Sequence, residues 1–200
     1  MSTAAPPLVE SDPRRLAILT AAVEVFARYG YRRTSMEDIA RGAGVSRAAL
    51  YLHYRNKPDI FRSLVVAHFE MAVDRVAQAL VPGLEPAQAL AAAFEAKIGP
   101  EVAVLFDSPH GDELLDANFD IAADVVEQGE ARIRALLRDW LQAEADAGRI
   151  TMAPYGADAE ALAATIVAAL TGLKTSATSY ETLRTAFDRL AQLFGRGLRA

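Results

Sequence analysis

Residues 34–57 read TSMEDIARGAGVSRAALYLHYRNK, and the reading of this stretch decides the fold. Thr34-Ser35-Met36-Glu37 has the form of a capping box, in which the Thr34 hydroxyl accepts the Glu37 amide while the Glu37 carboxylate reaches back. Met36, Ile39 and Ala40 give the helix that follows a buried stripe. Gly42 and Gly44, bracketing Ala43, break it after about two turns. Ser46 caps a second short helix from Arg47 to about Tyr54. Asn56-Lys57-Pro58 ends that helix, because the residue before a proline is pushed out of the helical region.

The surroundings are helical throughout. Ile18, Ala22, Val25, Phe26 and Tyr29 mark one face of a helix over Arg14–Tyr29, with Asp12-Pro13 as its cap and Gly30 as its stop. A long helix over about Pro58–Leu80 carries Ile60, Phe61, Leu64, Val65, His68, Phe69, Ala72, Val73 and Val76 at helical spacing. Further helices are expected near Pro86–Ile98, Glu101–Phe106, Glu113–Gln128, Ala131–Ala147, Asp158–Thr175 and Glu181–Phe194. No alternating strand pattern competes. The expectation is an all-α chain with a loose tail over 1–10, a three-helix helix-turn-helix head over 11–57 and a larger helical body over 58–200.

Composition sets the outer bounds. The chain has 200 residues, 52 % hydrophobic and 24 % charged, which excludes a largely disordered protein. It has no cysteine, which excludes disulfides and thiolate chemistry. The longest uncharged apolar run, Ala161–Leu173, is too short for a membrane span, so a cytoplasmic protein without a membrane partner is expected. Net charge is −5, but residues 1–60 hold nine Lys/Arg against six Asp/Glu while the remainder holds twelve against twenty. The field that could attract phosphate therefore belongs to the head.

Two short helices joined by a glycine turn form a helix-turn-helix, whose second helix fits the major groove of a duplex. The run Ser35-Met36-Glu37-Asp38-Ile39-Ala40, Ala43-Gly44-Val45-Ser46 and Leu50-Tyr51-Leu52-His53-Tyr54-Arg55-Asn56-Lys57 resembles the DNA-binding head of the TetR family of ligand-responsive transcriptional repressors. The likeness covers roughly Arg14–Phe61. By that resemblance the positions Thr34, Ser35, Arg47, Ala48, Tyr51, His53 and Lys57 touch DNA. Ala49 stands where many family members carry a hydroxyl.

From the residues themselves, Leu50 and Tyr54 share an inward face, and Arg47, Ala48 and Tyr51 face elsewhere. Arg47 can make a bidentate contact to guanine, and Ala48 and Ala49 can touch a thymine methyl. Tyr51, His53 and Lys57 read as phosphate clamps, and the amides at Thr34–Met36 as a phosphate-holding helix start. Each has a competing reading: Tyr51 packed, His53 a surface histidine, Arg47 on phosphate alone, Thr34 a pure cap.

In the body, Leu162, Ile166, Leu170 and Leu173 with Leu183, Phe187, Leu190 and Phe194 suggest a two-fold four-helix interface, or else the chain's own core. A homodimer would place two heads on a palindromic operator. Displacement of the long helix by a small-molecule effector would then release it. Candidate pocket residues are Phe69, Phe94, Phe106, Phe119 and Trp140, with His68, His110, Asn118 and Tyr155 as polar handles; aromatics at such spacing are also ordinary core. No nucleotide loop or nucleophile motif occurs, so neither an enzyme nor a cofactor is expected. Nor is a metal: His110 with Asp112 and Glu113 reads as a turn, and Asp112, Asp116, Asp120 and Asp124 as a solvated face. The expected partners are double-stranded DNA, a second copy and an effector whose identity is not legible. The alternative is a helical small-molecule binder or enzyme whose head no longer reads DNA.

Overall fold

The computed structural model describes residues 12–106 and 108–199, with side chains except at 101, 103–104 and 115–120. The segment expected as a tail, 1–10, lies outside the described residues. Helices follow in the order α1 (Pro13–Tyr29), α2 (Met36–Gly42), α3 (Arg47–His53), α4 (Lys57–Ala79), α5 (Pro86–Phe106), α6 (Gly111–Asp146), α7 (Ala159–Ser176) and α8 (Tyr180–Gly197), with a 3-10 turn at Ala153–Tyr155. The all-α expectation holds. Asp12 caps α1 by accepting the Arg14 amide at 3.0 Å. Gly30, at φ +81°, turns the chain out of it.

One expected break is present and the next one moved. Pro86–Ile98 and Glu101–Phe106 are two helical stretches of α5 parted at Gly99, which leaves the helical region at φ 68° just before Pro100, as expected. The break expected between Glu113–Gln128 and Ala131–Ala147 lies instead at Ala122, where φ −132° and ψ 26° kink α6, and the helix runs on through Gly129. Gly129 is buried inside that helix because the Phe69 ring lies directly against it, where any Cβ would collide.

The chain divides into two compact units. One contains the described residues up to Ala67 together with Ser108–Val125, and the other His68–Asp107 with Val126–Ala200. In the first, α2 packs on α1 and α3 on α2. Its core is built from Ile18, Phe26, Ile39, Leu50, Tyr54 and Ile60, all nearly or fully buried. Phe26, Tyr31 and Phe61 form an aromatic trio with centroids 5.1–5.8 Å apart.

In the second unit α8 lies along α5, so closely that the Gly195 backbone touches Ala87 and the Phe94 and Phe187 centroids are 6.0 Å apart. This corrects the expected interface. Leu162, Ile166, Leu170, Leu183 and Phe187 are buried in their own chain and have no surface to offer a second copy. Leu173, Leu190 and Phe194 remain partly accessible. The fully outward apolar residue of α8 is Leu193, 71 % exposed. Amphipathic periodicity identified the buried face correctly and assigned it the wrong partner.

One ionic staple holds the end of α6. Glu144 is buried, receives the Arg149 guanidinium through two contacts of 2.7 Å, and accepts the Gly83 amide. Arg149 and that amide hold the Glu144 carboxyl below its ordinary value. Because the folded-state value is depressed, the staple stabilises the fold above the ordinary carboxylate range. That stabilisation is lost as acid titrates the carboxyl through its lowered value. Glu144→Gln is expected to cost about 2 kcal/mol in urea unfolding at pH 7, discounted for the half-exposed arginine, with the gap to wild type narrowing as pH falls.

Candidate nucleic-acid interface

The frame of the helix-turn-helix is set by the turn between α1 and α2. Thr34 is buried, and its hydroxyl donates to the Gly30 carbonyl at 2.7 Å, satisfying an acceptor freed at the end of α1. The capping box therefore falls one residue later than expected. Ser35 is the cap: its hydroxyl oxygen accepts the Asp38 amide at 3.2 Å, and Asp38 accepts the Ser35 amide at 3.0 Å. These bonds from Ser35 hold the Asp38 carboxyl below its ordinary value. They correct two expectations, since Thr34 presents no free hydroxyl and the Ser35 amide is already engaged.

Lys57 is corrected as well. Its ammonium donates to the carbonyls of Tyr31 at 2.6 Å, Thr34 at 2.7 Å and Arg32 at 3.3 Å, and it stands 4.3 Å from the Tyr31 ring centroid. All three of its N–H donors are engaged. Burial pulls the Lys57 ammonium below its ordinary value, with the Glu113 carboxylate acting in the opposite sense. Lys57 is a brace for the turn, and no donor is left for a phosphate.

On α3 the division of faces holds. Ser46 caps it by accepting the Ala49 amide at 3.1 Å. Leu50 and Tyr54 are buried, while Arg47 and Ala48 are exposed, Tyr51 is 43 % exposed and Ala49 is half-buried. The Arg47 guanidinium sits 5.6 Å from the centroid of the Tyr51 ring one turn on, a stacked pair on the open face. The bond with Tyr51 raises the Arg47 value further above its ordinary one. His53 is only partly accessible and lies 3.5 Å from the Asp12 carboxylate that also caps α1. Leu52 was not expected in the site, yet at 85 % it is the most exposed large apolar side chain of the described residues. Its place between Tyr51 and His53, off the Leu50–Tyr54 face, was the available signal.

A distant segment supports the same turn. Ser108 donates to the Ala27 carbonyl at 2.7 Å, and Glu113 accepts the Arg32 amide at 2.6 Å. A Glu113 oxygen fills the space a Cβ on Gly30 would need. Farther along α6, Asp124 receives Arg62 through a two-pronged pair that pulls its carboxyl down to about 2. The acidic residues expected on a solvated face are thus partly spent on positioning the head. His110 borders an open cleft with Arg28, Tyr29, Arg33 and Asp38.

The other expected pocket residues do not converge as a group. Phe69, Phe94 and Trp140 are buried in the second unit, with His68 5.2 Å from Phe69 by ring centroids. Phe106 is half-buried, Tyr155 is exposed, and Asn118 and Phe119 fall outside the described side chains.

A helical head that buries one face of a short, capped second helix and bares a basic, aromatic one defines a helix-turn-helix protein. The model of bacterial regulatory proteins of the tetR family matches residues 18–64. The chain is 40 % identical over 85 residues to the HTH-type transcriptional activator FasR of Mycolicibacterium smegmatis, a match covering 42 % of this chain and 39 % of FasR. It is 43 % identical over 56 residues to the HTH-type transcriptional repressor BepR of Brucella suis, covering 28 % and 27 % of the two chains. The chain thus matches about two-fifths or less of the length of these curated relatives. Its fold resembles that of a transcriptional regulator from Cytophaga hutchinsonii, with a TM-score of 0.76 at 18 % identity over 94 % of this chain and all of the other. Residues 18–64 are thus similar to the head of the tetR-family regulators, and the relatives matched over that stretch are named as transcriptional regulators.

Lys57→Met keeps the stem and removes the three donors. It should destabilise the head by about 2 kcal/mol in urea unfolding. Lys57→Arg should not restore that stability, because a planar fork cannot point three donors at three converging carbonyls.

Proposed function

We propose that this chain is a homodimeric repressor that binds a palindromic operator and is released by a small-molecule effector. The observation that carries the reading is the outward face of α3. Arg47, Ala48, Tyr51 and Leu52 are accessible together on a helix fixed from behind by Leu50 and Tyr54. Arg47 reads guanine, Ala48 and Leu52 contact apolar base edges, and Tyr51 holds phosphate. The exposed Arg32, Arg33 and Arg55 add positive charge to the same unit. One seven-residue helix contacts too few base pairs for strong selection, so a second copy supplies the other half-site.

The second copy pairs through the outward faces of α7 and α8. There Leu193 and the small, exposed residues Ala161, Thr165, Ala168 and Gly172 allow close approach, with open space around Gly172. The relatives matched include one named an activator and one a repressor. Repression is the simpler reading, because occupying an operator requires nothing beyond the surfaces named.

The test is a mobility-shift titration on the DNA upstream of the chain's own gene. Binding should be sequence-selective and fall steeply with salt as phosphate contacts release counterions. Binding indifferent to both would leave a helical small-molecule binder. Arg47→Ala should lose about 1–3 kcal/mol of discrimination at one base pair of each half-site, read by competition with operator variants. Leu193→Arg should give monomers in sedimentation with helicity unchanged, whereas a charge at the buried Leu170 should unfold the body.

A further inference from the structure

An open cleft of about 240 Å³ is lined by Arg28, Tyr29, Arg33, Asp38 and His110, all of the first unit. Arg28 and Tyr29 end α1, Arg33 stands in the turn before α2, and Asp38 lies in the first turn of α2. Arg28, Tyr29 and Arg33 are exposed, so a ligand can reach both guanidiniums and the phenol. His110 forms a wall that is fixed from behind. Its amide donates to the Ser108 hydroxyl at 3.1 Å, and that hydroxyl donates to the Ala27 carbonyl at 2.7 Å. The His110 Nδ1 lies 3.9 Å from Glu113, whose other oxygen accepts the Arg32 amide.

The lining favours an anion. Asp38 is a carboxylate on this wall, but its charge is already met: it accepts the Ser35 amide at 3.0 Å and the Ser35 hydroxyl at 2.6 Å, with Arg41 at 3.6 Å. Two guanidinium forks match the spacing of phosphate oxygens, which a carboxylate-sized or neutral group uses less fully. The cleft is smaller than the roughly 300–1,000 Å³ of small-molecule sites, and it is open. It suits one phosphate carried on a larger body. Its place says which body. Arg33 and Asp38 stand on either side of Ser35, the cap of α2. The first helix of a helix-turn-helix crosses the sugar-phosphate backbone when the second enters the major groove.

We propose that Arg28, Tyr29 and Arg33, walled by His110, clamp one backbone phosphate of the operator in each half-site. The two guanidiniums meet the charge, and the Tyr29 phenol donates beside them. Such a contact strengthens binding and fixes register without reading sequence. It is made by the end of α1 and the turn before α2, so it extends the DNA contact beyond α3. The inference rests on the operator reading above and adds a second anchoring point to it.

The test uses the full chain and its operator duplex, with single phosphates replaced in turn by neutral methylphosphonates. At one backbone position the replacement should weaken wild-type binding about tenfold for each half-site changed, the loss of one charge-assisted contact. The double variant Arg28→Gln, Arg33→Gln should bind the unmodified duplex more weakly by a similar factor and lose nothing further at that position. Its plot of log affinity against log salt should be shallower by about one for each half-site. Arg189→Gln, which removes an exposed charge from the second unit, should change neither readout. Arg28→Lys with Arg33→Lys should recover the salt slope, because the charge is kept. Both double variants should melt with wild type and keep its preference among operator variants altered at the base that Arg47 reads. Additive losses at every phosphate, or an unchanged salt slope in the glutamine variant, overturn the clamp and leave operator binding by α3 standing. A wild-type chain that binds no duplex selectively sinks the operator reading and the clamp with it.

Discussion

The Lys57 ammonium, threaded into the turn at residues 31–34, is the contact on which the placement of α2 and α3 depends. The backbone there leaves α1 at Gly30 and must re-enter a helix at Met36, so several carbonyls point inward without helical partners. Three of them converge on one ammonium, and the Tyr31 ring closes over it. A desolvated cation is costly by itself, but here each donor has an acceptor, so the penalty is offset and the turn has one geometry. That geometry sets where α2 starts, and α2 carries α3. Glu113 completes it from the far side by taking the Arg32 amide.

The helix α3 could not exist alone. With seven residues it is well below the length at which an isolated helix is stable in water. It persists because Ser46 satisfies its first turn and Leu50 and Tyr54 are buried beneath it. Burying those two leaves Arg47, Ala48, Tyr51 and Leu52 no inward option, so the surface that could meet DNA is a geometric consequence of the core beneath it.

That consequence is why the head was largely legible from sequence. Residues four apart share a face whatever surrounds them, and the inward pair Leu50 and Tyr54 follows from spacing alone. What escaped was every interaction without a period. Thr34 and Ser35 are both good caps, and only the orphaned Gly30 carbonyl decides between them. Lys57 reads as a surface cation until its carbonyls are in place. Glu113 lies 81 residues from the amide it binds, beyond the reach of any local pattern. For α7 and α8 the pattern was right and the partner wrong, because an apolar stripe records that a face is buried and says nothing of what buries it.

The second unit contains two buried ionic clusters, and they differ in how completely their polar atoms are satisfied. Around Glu144 the accounting closes: one carboxylate meets one guanidinium and one backbone amide, all in hydrogen-bond geometry. Such a cluster holds two segments together and needs nothing further. Around Glu130 the satisfaction is less complete: Lys97 donates to one carboxylate oxygen at 2.7 Å, and the other, buried, has no donor among the described residues. Both clusters form in the same chain under the same packing constraints. The Gly83 amide is what completes the first cluster, and the second oxygen of Glu130 has no such donor among the described residues.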